Sequence, residues 1–161
     1  MKQPFRVLWI CMANACRSQM AEAILRHLGG RRFVARSAGA MPAGYIHPLA
    51  DAGLKSLGLA LDKQYSKGCD EMLALEHDIV ITVCDAAACV IPTAWKGNPV
   101  TVHWGLPDPV ACPGSPTERE SQAVQLAGLL HNRIRRLVEL PLETMDRDEI
   151  RQALEQLTAP D

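Results

Sequence analysis

Apolar residues gather in four short runs with little polar alternation, a pattern typical of β-strands buried on both faces. The first run, Phe5–Ile10, reads FRVLWI, and the run Asp78–Val83 reads DIVITV. A third lies in the segment RFVARSAG, where we expect the strand to end at Ser37, and a fourth is Pro99–Trp104. The chain is therefore predicted to contain four strands.

Between and after these runs, apolar residues recur at three- or four-residue spacing, which predicts amphipathic helices. The first helix, Ser18–Leu28, is followed by two glycines that end it. Pro48 suits the first turn of a second helix in HPLADAGLKSLG. Further helices are predicted at Asp70–Glu76, at Thr117–Leu140 ahead of Pro141, and in a tail for which Asp146 is the N-cap.

Strands that alternate with helices predict an α/β fold with a four-stranded, mainly parallel sheet. Residues 1–140 hold all four strands, and residues 141–161 form a C-terminal helical extension that we expect to pack on the same domain. Ligands of parallel sheets bind beyond the carboxyl ends of the strands, so the loops that follow the strands are where a site is expected.

Composition narrows the class of protein. The chain has 161 residues, a net charge of −1 and few aromatic residues, which disfavours nucleic acid as a partner. The N-terminal apolar run is too short to span a bilayer and is not followed by a clean cleavage region, so we predict a cytosolic protein with no membrane partner. We also expect a monomer. Six cysteines in a cytosolic chain favour catalysis or metal binding over structural disulfides.

The stretch after the first strand combines a thiol with groups that bind anions. Cys11 follows the strand directly, Arg17 comes six positions later, and the helix begins at about Ser18. Loop amides and a helix N-terminus attract an anion, and the arginine fork matches a tetrahedral oxyanion. The same positive field favours a nucleophilic Cys11 thiolate. The predicted oxyanion loop comprises Cys11, Met12, Ala13, Asn14, Ala15, Cys16, Arg17 and Ser18.

Other readings of the cysteines stay open at this point. Cys11 and Cys16 could be small buried residues, and Arg17 a surface charge. The spacing of Cys11 and Cys16 is repeated in Cys84 and Cys89, so four thiolates could instead hold zinc, although the arginine would then have no use. Cys69 and Cys112 have no assigned partner and are expected to be buried or loop-surface residues without a chemical role.

The quoted motifs resemble those of a known superfamily. The segments CMANACRSQ, MAEAIL and SAG, with ITVCD and HWGLPDP further on, are similar to the low-molecular-weight tyrosine phosphatases and more closely to the arsenate reductases built on that fold. At position 19 the phosphatases usually have proline, whereas this chain has Gln19, as the reductases do. The resemblance runs from about Val7 to Leu140, and it implies helices on both faces of the sheet.

The resemblance to the thioredoxin-coupled reductases implies roles for three cysteines. Cys11 would attack arsenate, Cys84 would resolve the adduct, and Cys89 would carry the disulfide outwards. The predicted strands Phe5–Ile10 and Asp78–Val83 would end at the same sheet edge, so Cys11 and Cys84 could meet. Cys89 comes earlier than the third family cysteine, which falls near Pro92 here, so the electron donor stays open among thioredoxin, glutaredoxin and a small thiol. No tightly bound cofactor is implied.

The resemblance also implies a general acid and a cation site. Asp108 in the PDP sequence would protonate the leaving oxygen, and Val110, where phosphatases place an aromatic residue, disfavours an aryl phosphate substrate. Asn14 and Ser18 would buttress the loop and the thiolate. A potassium ion would bind near Asn14, Glu22, Ser37 and Asp70, although Glu22 and Asp70 also suit a helix surface and a helix cap. His47, His77 and His103 are predicted to be structural.

Three functions follow, in order of preference. The first is reduction of arsenate to arsenite by the thiolate of Cys11 with resolution by Cys84. The second is hydrolysis of phosphomonoesters through a phosphocysteine on Cys11, which requires only one thiol. The third is an oxyanion-sensing domain with no turnover.

Overall fold

A computed structural model describes residues 2–84, 92 and 94–159 of the chain. Four strands form one fully parallel sheet in the order β2-β1-β3-β4. This confirms the predicted α/β class and its four strands, with bounds that shift by one or two residues. The strands are β1 (Phe5–Cys11), β2 (Phe33–Gly39), β3 (Ile79–Thr82) and β4 (Val100–His103).

Local capping chemistry sets where the helices begin. Ser115 with Glu118, and Asp146 with Glu149, form capping boxes that satisfy amides at two helix starts. The ring Nδ1 of His47 accepts a hydrogen bond from the Leu49 amide and caps a third helix. The helices are α1 (Arg17–Gly29), α2 (Pro48–Ser56), α3 (Pro116–Val138) and α4 (Arg147–Gln156).

Alternate residues of the two central strands, β1 and β3, enter two separate cores. Phe5, Val7 and Trp9 of β1 pack with the apolar faces of all four α-helices. Leu8 and Ile10 point to the other face, where a short 3-10 helix, Cys69–Met72, covers the sheet. Helices thus lie on both faces, as predicted, but the long ones lie on one face.

The segment predicted as a helix at Asp70–Glu76 is the shorter 3-10 helix that begins at Cys69. Its position is fixed by contacts made across the chain. Gly68 bridges to Gly39 at the end of β2, and the side chains of Cys69 and Met72 are buried on the sheet. A single turn is enough to bury both side chains, and the chain then leaves the sheet.

The C-terminal helix shares the main core of the sheet. Ile150 and Leu154 are fully buried in the cluster that contains β1, and the Trp104 indole donates a 2.9 Å hydrogen bond to the Leu154 carbonyl. Arg32 also joins this region to the body of the protein through an ion pair with Glu143. In the described part of the chain, no helix combines the length and the apolar character needed to cross a bilayer.

Candidate active site

The carboxyl edge of the sheet brings the predicted thiols to neighbouring positions. Cys11 is the last residue of β1 and pairs with Gly39 of β2. On its other side β1 pairs with β3, with Ile10 opposite Thr82, the last residue of β3. Cys84 follows two residues later and therefore lies at the same edge of the sheet as Cys11. Both cysteine side chains are buried. The parallel register, rather than closeness in sequence, therefore makes Cys11 and Cys84 neighbours across the sheet.

Loop 11–17 is held with its carbonyls turned outwards. The carbonyls of Cys11, Met12, Ala13 and Ala15 accept hydrogen bonds of 2.8–3.1 Å from amides of residues 40–47. In a trans peptide the C=O and the next N–H point in opposite directions. The amides that follow these carbonyls are thus directed into the loop, where they can converge on an anion.

A chain of hydrogen bonds ends at the sulfur of Cys11. Ser18 Oγ lies 2.8 Å from Cys11 Sγ, and Asn14 Nδ2 donates to Ser18 Oγ at 2.7 Å. When Cys11 is a thiolate the sulfur has no proton to donate, so the Ser18 hydroxyl is the donor of this contact, while its oxygen accepts from Asn14. Asn14 sits in the left-handed region, with φ of 48°. Asparagine tolerates that conformation better than most residues do.

Arg17 and Asp108 meet at the side of the same loop. The guanidinium is buried, donates from Nη1 to the Leu106 carbonyl at 3.1 Å, and has Nη2 3.6 Å from Asp108 Oδ2. Asp108 is partly exposed, and its Oδ1 accepts a 3.0 Å hydrogen bond from the Val110 amide. The structure therefore brings the predicted acid and the predicted anion-binding arginine together beside Cys11.

The cysteines differ in environment. Burial, followed by the nearby negative groups Asp108 and Cys11, raises the pKa of Cys16 to about 12, and burial raises the pKa of Cys69 to about 11. Both stay protonated at neutral pH. Cys11, Cys16, Cys69 and Cys112 are free thiols, whereas Cys84 is disulfide-bonded. The predicted relay residue Cys89 lies outside the described residues.

The pocket over Cys11 has an aromatic wall that the sequence reading missed. Tyr45 and His47 line it together with Val110, Arg17 and Asp108. The pocket therefore contains an aromatic residue despite Val110, because the loop after β2 contributes Tyr45. The loop follows a strand whose carboxyl end lies at the site, and this position in the sequence is the signal that could identify Tyr45 as a pocket residue. His47 is both a helix cap and a pocket residue.

The residues predicted to hold potassium do not converge as a set. Glu22 and Ser37 meet, since the Ser37 hydroxyl donates to Glu22 Oε1 at 2.6 Å, but Asp70 is exposed on the 3-10 helix. The buried ammonium of Lys67 lies between Glu22 and Ser37. Within residues 2–84, 92 and 94–159 no three His, Cys, Asp or Glu side chains are arranged to hold a metal, so the zinc alternative gains no support there.

Gln19 has a role that the sequence pattern did not reveal. Its side-chain Nε2 lies 2.9–3.0 Å from the Asn14 carbonyl, Asn14 Oδ1 and the Tyr65 carbonyl, and its Oε1 accepts from Gln64 at 2.7 Å. Gln19 therefore ties the oxyanion loop to the segment 64–67. Proline at this position would leave those acceptors without this donor.

Comparisons with known proteins agree with this geometry. Residues 6–151 match the family model described as "Low molecular weight phosphotyrosine protein phosphatase". An arsenate reductase of Halalkalibacterium halodurans is 35% identical over 113 residues, 70% of this chain and 80% of that protein. A glutaredoxin arsenate reductase of Synechocystis sp. is 31% identical over 65% of this chain and 78% of its own length. The crystal structure of an Archaeoglobus fulgidus arsenate reductase superimposes with a TM-score of 0.67 at 27% identity, covering 83% of this chain and 99% of the other.

Proposed function

Since this chain belongs to the low molecular weight phosphotyrosine protein phosphatase family, we propose that within this family it reduces arsenate to arsenite. The observation that carries the proposal is the pairing of β1 with β3, which puts the buried Cys84 at the same sheet edge as Cys11. A phosphatase needs one thiol because water completes its reaction. A second thiol beside the first is what reduction requires.

Arsenate binds in the loop formed by Cys11, Met12, Ala13, Asn14, Ala15, Cys16, Arg17 and Ser18. Amides turned inward and the Arg17 guanidinium neutralise its charge. The Ser18 hydroxyl, 2.8 Å from Cys11 Sγ, stabilises the thiolate that attacks arsenic. Asp108, at 3.6 Å from Arg17, donates the proton with which one arsenate oxygen leaves as water. An S–As bond on Cys11 results.

Resolution supplies the electrons. The Cys84 thiolate attacks Cys11 Sγ, so that an S–S bond forms and the S–As bond breaks, with its electron pair going to arsenic. Arsenic(V) becomes arsenic(III), and the two thiols are oxidised to a disulfide. That Cys84 is disulfide-bonded while Cys11 is free supports a further exchange from Cys84 to another thiol, for which Cys89 is our candidate.

The cycle closes when an external thiol reductant returns the disulfide to thiols in a reducing cytosol. The relationship to a glutaredoxin arsenate reductase supports such a donor. Thioredoxin, glutaredoxin and a small thiol are the three candidates.

The deciding experiment compares Cys84→Ser with Cys112→Ser, which alters a partly exposed free thiol as a control. Arsenate-dependent NADPH oxidation is followed with thioredoxin or glutaredoxin and the matching reductase. We expect the wild type and Cys112→Ser to turn over, and Cys84→Ser to lose at least about a hundredfold, or about 3 kcal/mol of barrier lowering. Equal turnover by both variants, or none by the wild type with any thiol donor, contradicts the proposal.

Phosphomonoester hydrolysis is the second candidate, favoured by the family match and by Tyr45 in the pocket wall. It uses Cys11, Arg17 and Asp108 but not Cys84. The two activities are separated by assaying the wild type and Cys84→Ser with both p-nitrophenyl phosphate and arsenate. A phosphatase should hydrolyse p-nitrophenyl phosphate equally well in both proteins, whereas arsenate reduction should be lost in Cys84→Ser.

A further inference from the structure

The ammonium of Lys67 lies among oxygen atoms of the kinds that bind an alkali cation. Its Nζ is 3.1 Å from the Tyr65 carbonyl, 3.4 Å from Ser37 Oγ and 3.5 Å from Glu22 Oε1. The side chain is only 7% exposed, and the Tyr65 ring lies 4.7 Å from Nζ. A carbonyl, a hydroxyl and a carboxylate are hard oxygen ligands for a cation.

The charges around Glu22 leave little need for another cation. Arg26 contacts Glu22 Oε2 while Lys67 contacts Oε1, so one buried carboxylate already faces two positive side chains. A dissociable potassium ion at the same oxygens would put a third positive charge within a few ångströms of them, and like charges at that distance repel strongly in a buried setting. Asp70, which would supply a second carboxylate, is exposed.

The backbone of the same residue is bonded to the oxyanion loop. The Lys67 amide donates to Asn14 Oδ1 at 2.9 Å, and the Lys67 carbonyl accepts from the Gly39 amide at 2.9 Å. Asn14 in turn donates to Ser18 Oγ, which contacts Cys11 Sγ. Lys67 is therefore connected to the nucleophile through Asn14 and Ser18.

We propose that Lys67 is a built-in cation of this active site, which takes the place of the potassium ion predicted beside Asn14. It is a positioning residue: its ammonium neutralises Glu22 and holds segment 65–67 in place. Because segment 65–67 is held in place, the backbone amide of Lys67 keeps the Asn14 side chain hydrogen-bonded to Ser18. A cation that is covalently part of the chain cannot dissociate, so the reaction should not depend on the alkali ion in solution. The proposal concerns the rate of thiol chemistry at Cys11 and rests on the proposed function only for its arsenate assay.

The first test uses the wild-type protein. Arsenate reduction, alkylation of Cys11 by iodoacetamide, and the melting temperature are each measured in potassium, sodium and choline chloride at equal ionic strength. We expect all three quantities to be the same in the three salts. Saturable activation or stabilisation by potassium over sodium overturns the proposal, and this result does not depend on any variant folding.

The second test replaces the charge. Lys67→Met keeps the apolar stem and removes the ammonium, and Lys67→Gln is a polar alternative. Lys55→Met removes an exposed lysine that pairs with Asp51 and is the matched control. In sodium or choline we expect the Lys67 variants to lose about ten- to a hundredfold in kcat/KM and in the Cys11 alkylation rate, and potassium or ammonium ions to restore much of both.

The outcomes separate the alternatives. Rescue by potassium or ammonium but not by choline supports the built-in cation. Loss without rescue by any cation means that Lys67 only packs, and unchanged rates in both variants mean that it is not needed; either result overturns the proposal. Alkylation of Cys11 requires no arsenate turnover. A wild type that fails to reduce arsenate therefore contradicts the proposed function, while the alkylation rates still test the role of Lys67.

Discussion

Ser18 Oγ lies 2.8 Å from Cys11 Sγ and accepts a 2.7 Å hydrogen bond from the side-chain amide of Asn14, so that its proton can be donated to the sulfur once Cys11 is ionised. A hydroxyl held in this way stabilises the thiolate more than the thiol, because a hydrogen bond to a charged group is the stronger one. The reactivity of Cys11 therefore depends on Ser18 and, through it, on Asn14.

Replacing Ser18 by alanine should slow alkylation of Cys11 by iodoacetamide at neutral pH by about tenfold, the value of one charge-assisted hydrogen bond. Ser56→Ala is the control, since its hydroxyl bonds the Gly53 carbonyl at the end of α2. The rates are measured by mass spectrometry of the Cys11 peptide. If the two variants react alike, the hydroxyl does not stabilise the thiolate.

Gly39→Ala should damage the oxyanion loop. A Cβ at this position would lie 2.8 Å from both the Asn14 amide nitrogen and the Met12 carbonyl oxygen, neither of which can move without deforming the loop. We expect a loss of about 1–3 kcal/mol in the free energy of unfolding and weaker phosphate binding. Urea denaturation and isothermal titration with phosphate check both.

Gly128→Ala is the matched substitution with the opposite sign. A Cβ there meets nothing within 4 Å, and the residue lies inside α3, where alanine is favoured over glycine by about 0.5–1 kcal/mol. The variant should be more stable and bind phosphate unchanged. If Gly39→Ala matched Gly128→Ala in both stability and phosphate binding, the oxyanion loop would be able to rearrange around the added methyl group, contrary to this prediction.

The buried His77 should make the protein sensitive to acid. Burial, then the charges of Arg36 and Arg6, lower the pKa of this ring to about 4. Below about pH 6.5, the pKa of histidine in the unfolded chain, the unfolded His77 binds a proton while the native ring stays neutral. The free energy of unfolding should thus fall between about pH 6.5 and about pH 4, by up to about 3 kcal/mol at the rate of about 1.4 kcal/mol per pKa unit.

Urea denaturation of the wild type and of His77→Gln across that pH range measures this effect. We expect a shallower pH dependence in the variant, even if its stability at neutral pH is lower. His27→Gln, at the exposed end of α1, should keep the wild-type slope. A His77 variant with the wild-type slope would assign the acid sensitivity to other groups.

The C-terminal helix should stabilise the whole protein rather than form an appendage. Leu154 is fully buried in the main core, so Leu154→Ala should cost about 2–5 kcal/mol in the free energy of unfolding. Gln152→Ala, at an exposed position on the same helix, should cost little. One cooperative urea transition, moved to lower urea by the first variant only, is the expected observation. Two separate transitions would contradict it.

The sequence by itself determined the elements whose signals are local. The strand, the Cys-x5-Arg loop and α1 follow one another within residues 5–29, and the Asp146 N-cap begins α4 as predicted. Periodicity and capping act over one or two turns, so they can be read without knowing what the element packs against. Parallel topology then predicted which strand ends would share an edge.

Only the tertiary structure decided which side chains complete the site. Lys67 meets Ser37 across 30 positions and Gln64 meets Gln19 across 45, while Tyr45 reaches the pocket from a loop after β2. Contacts between residues so far apart in sequence leave no periodic trace in the chain, because they depend on how the loops at the sheet edge pack together. For the same reason, a short segment predicted as a helix became one 3-10 turn once burial of Cys69 and Met72 on the sheet set its length.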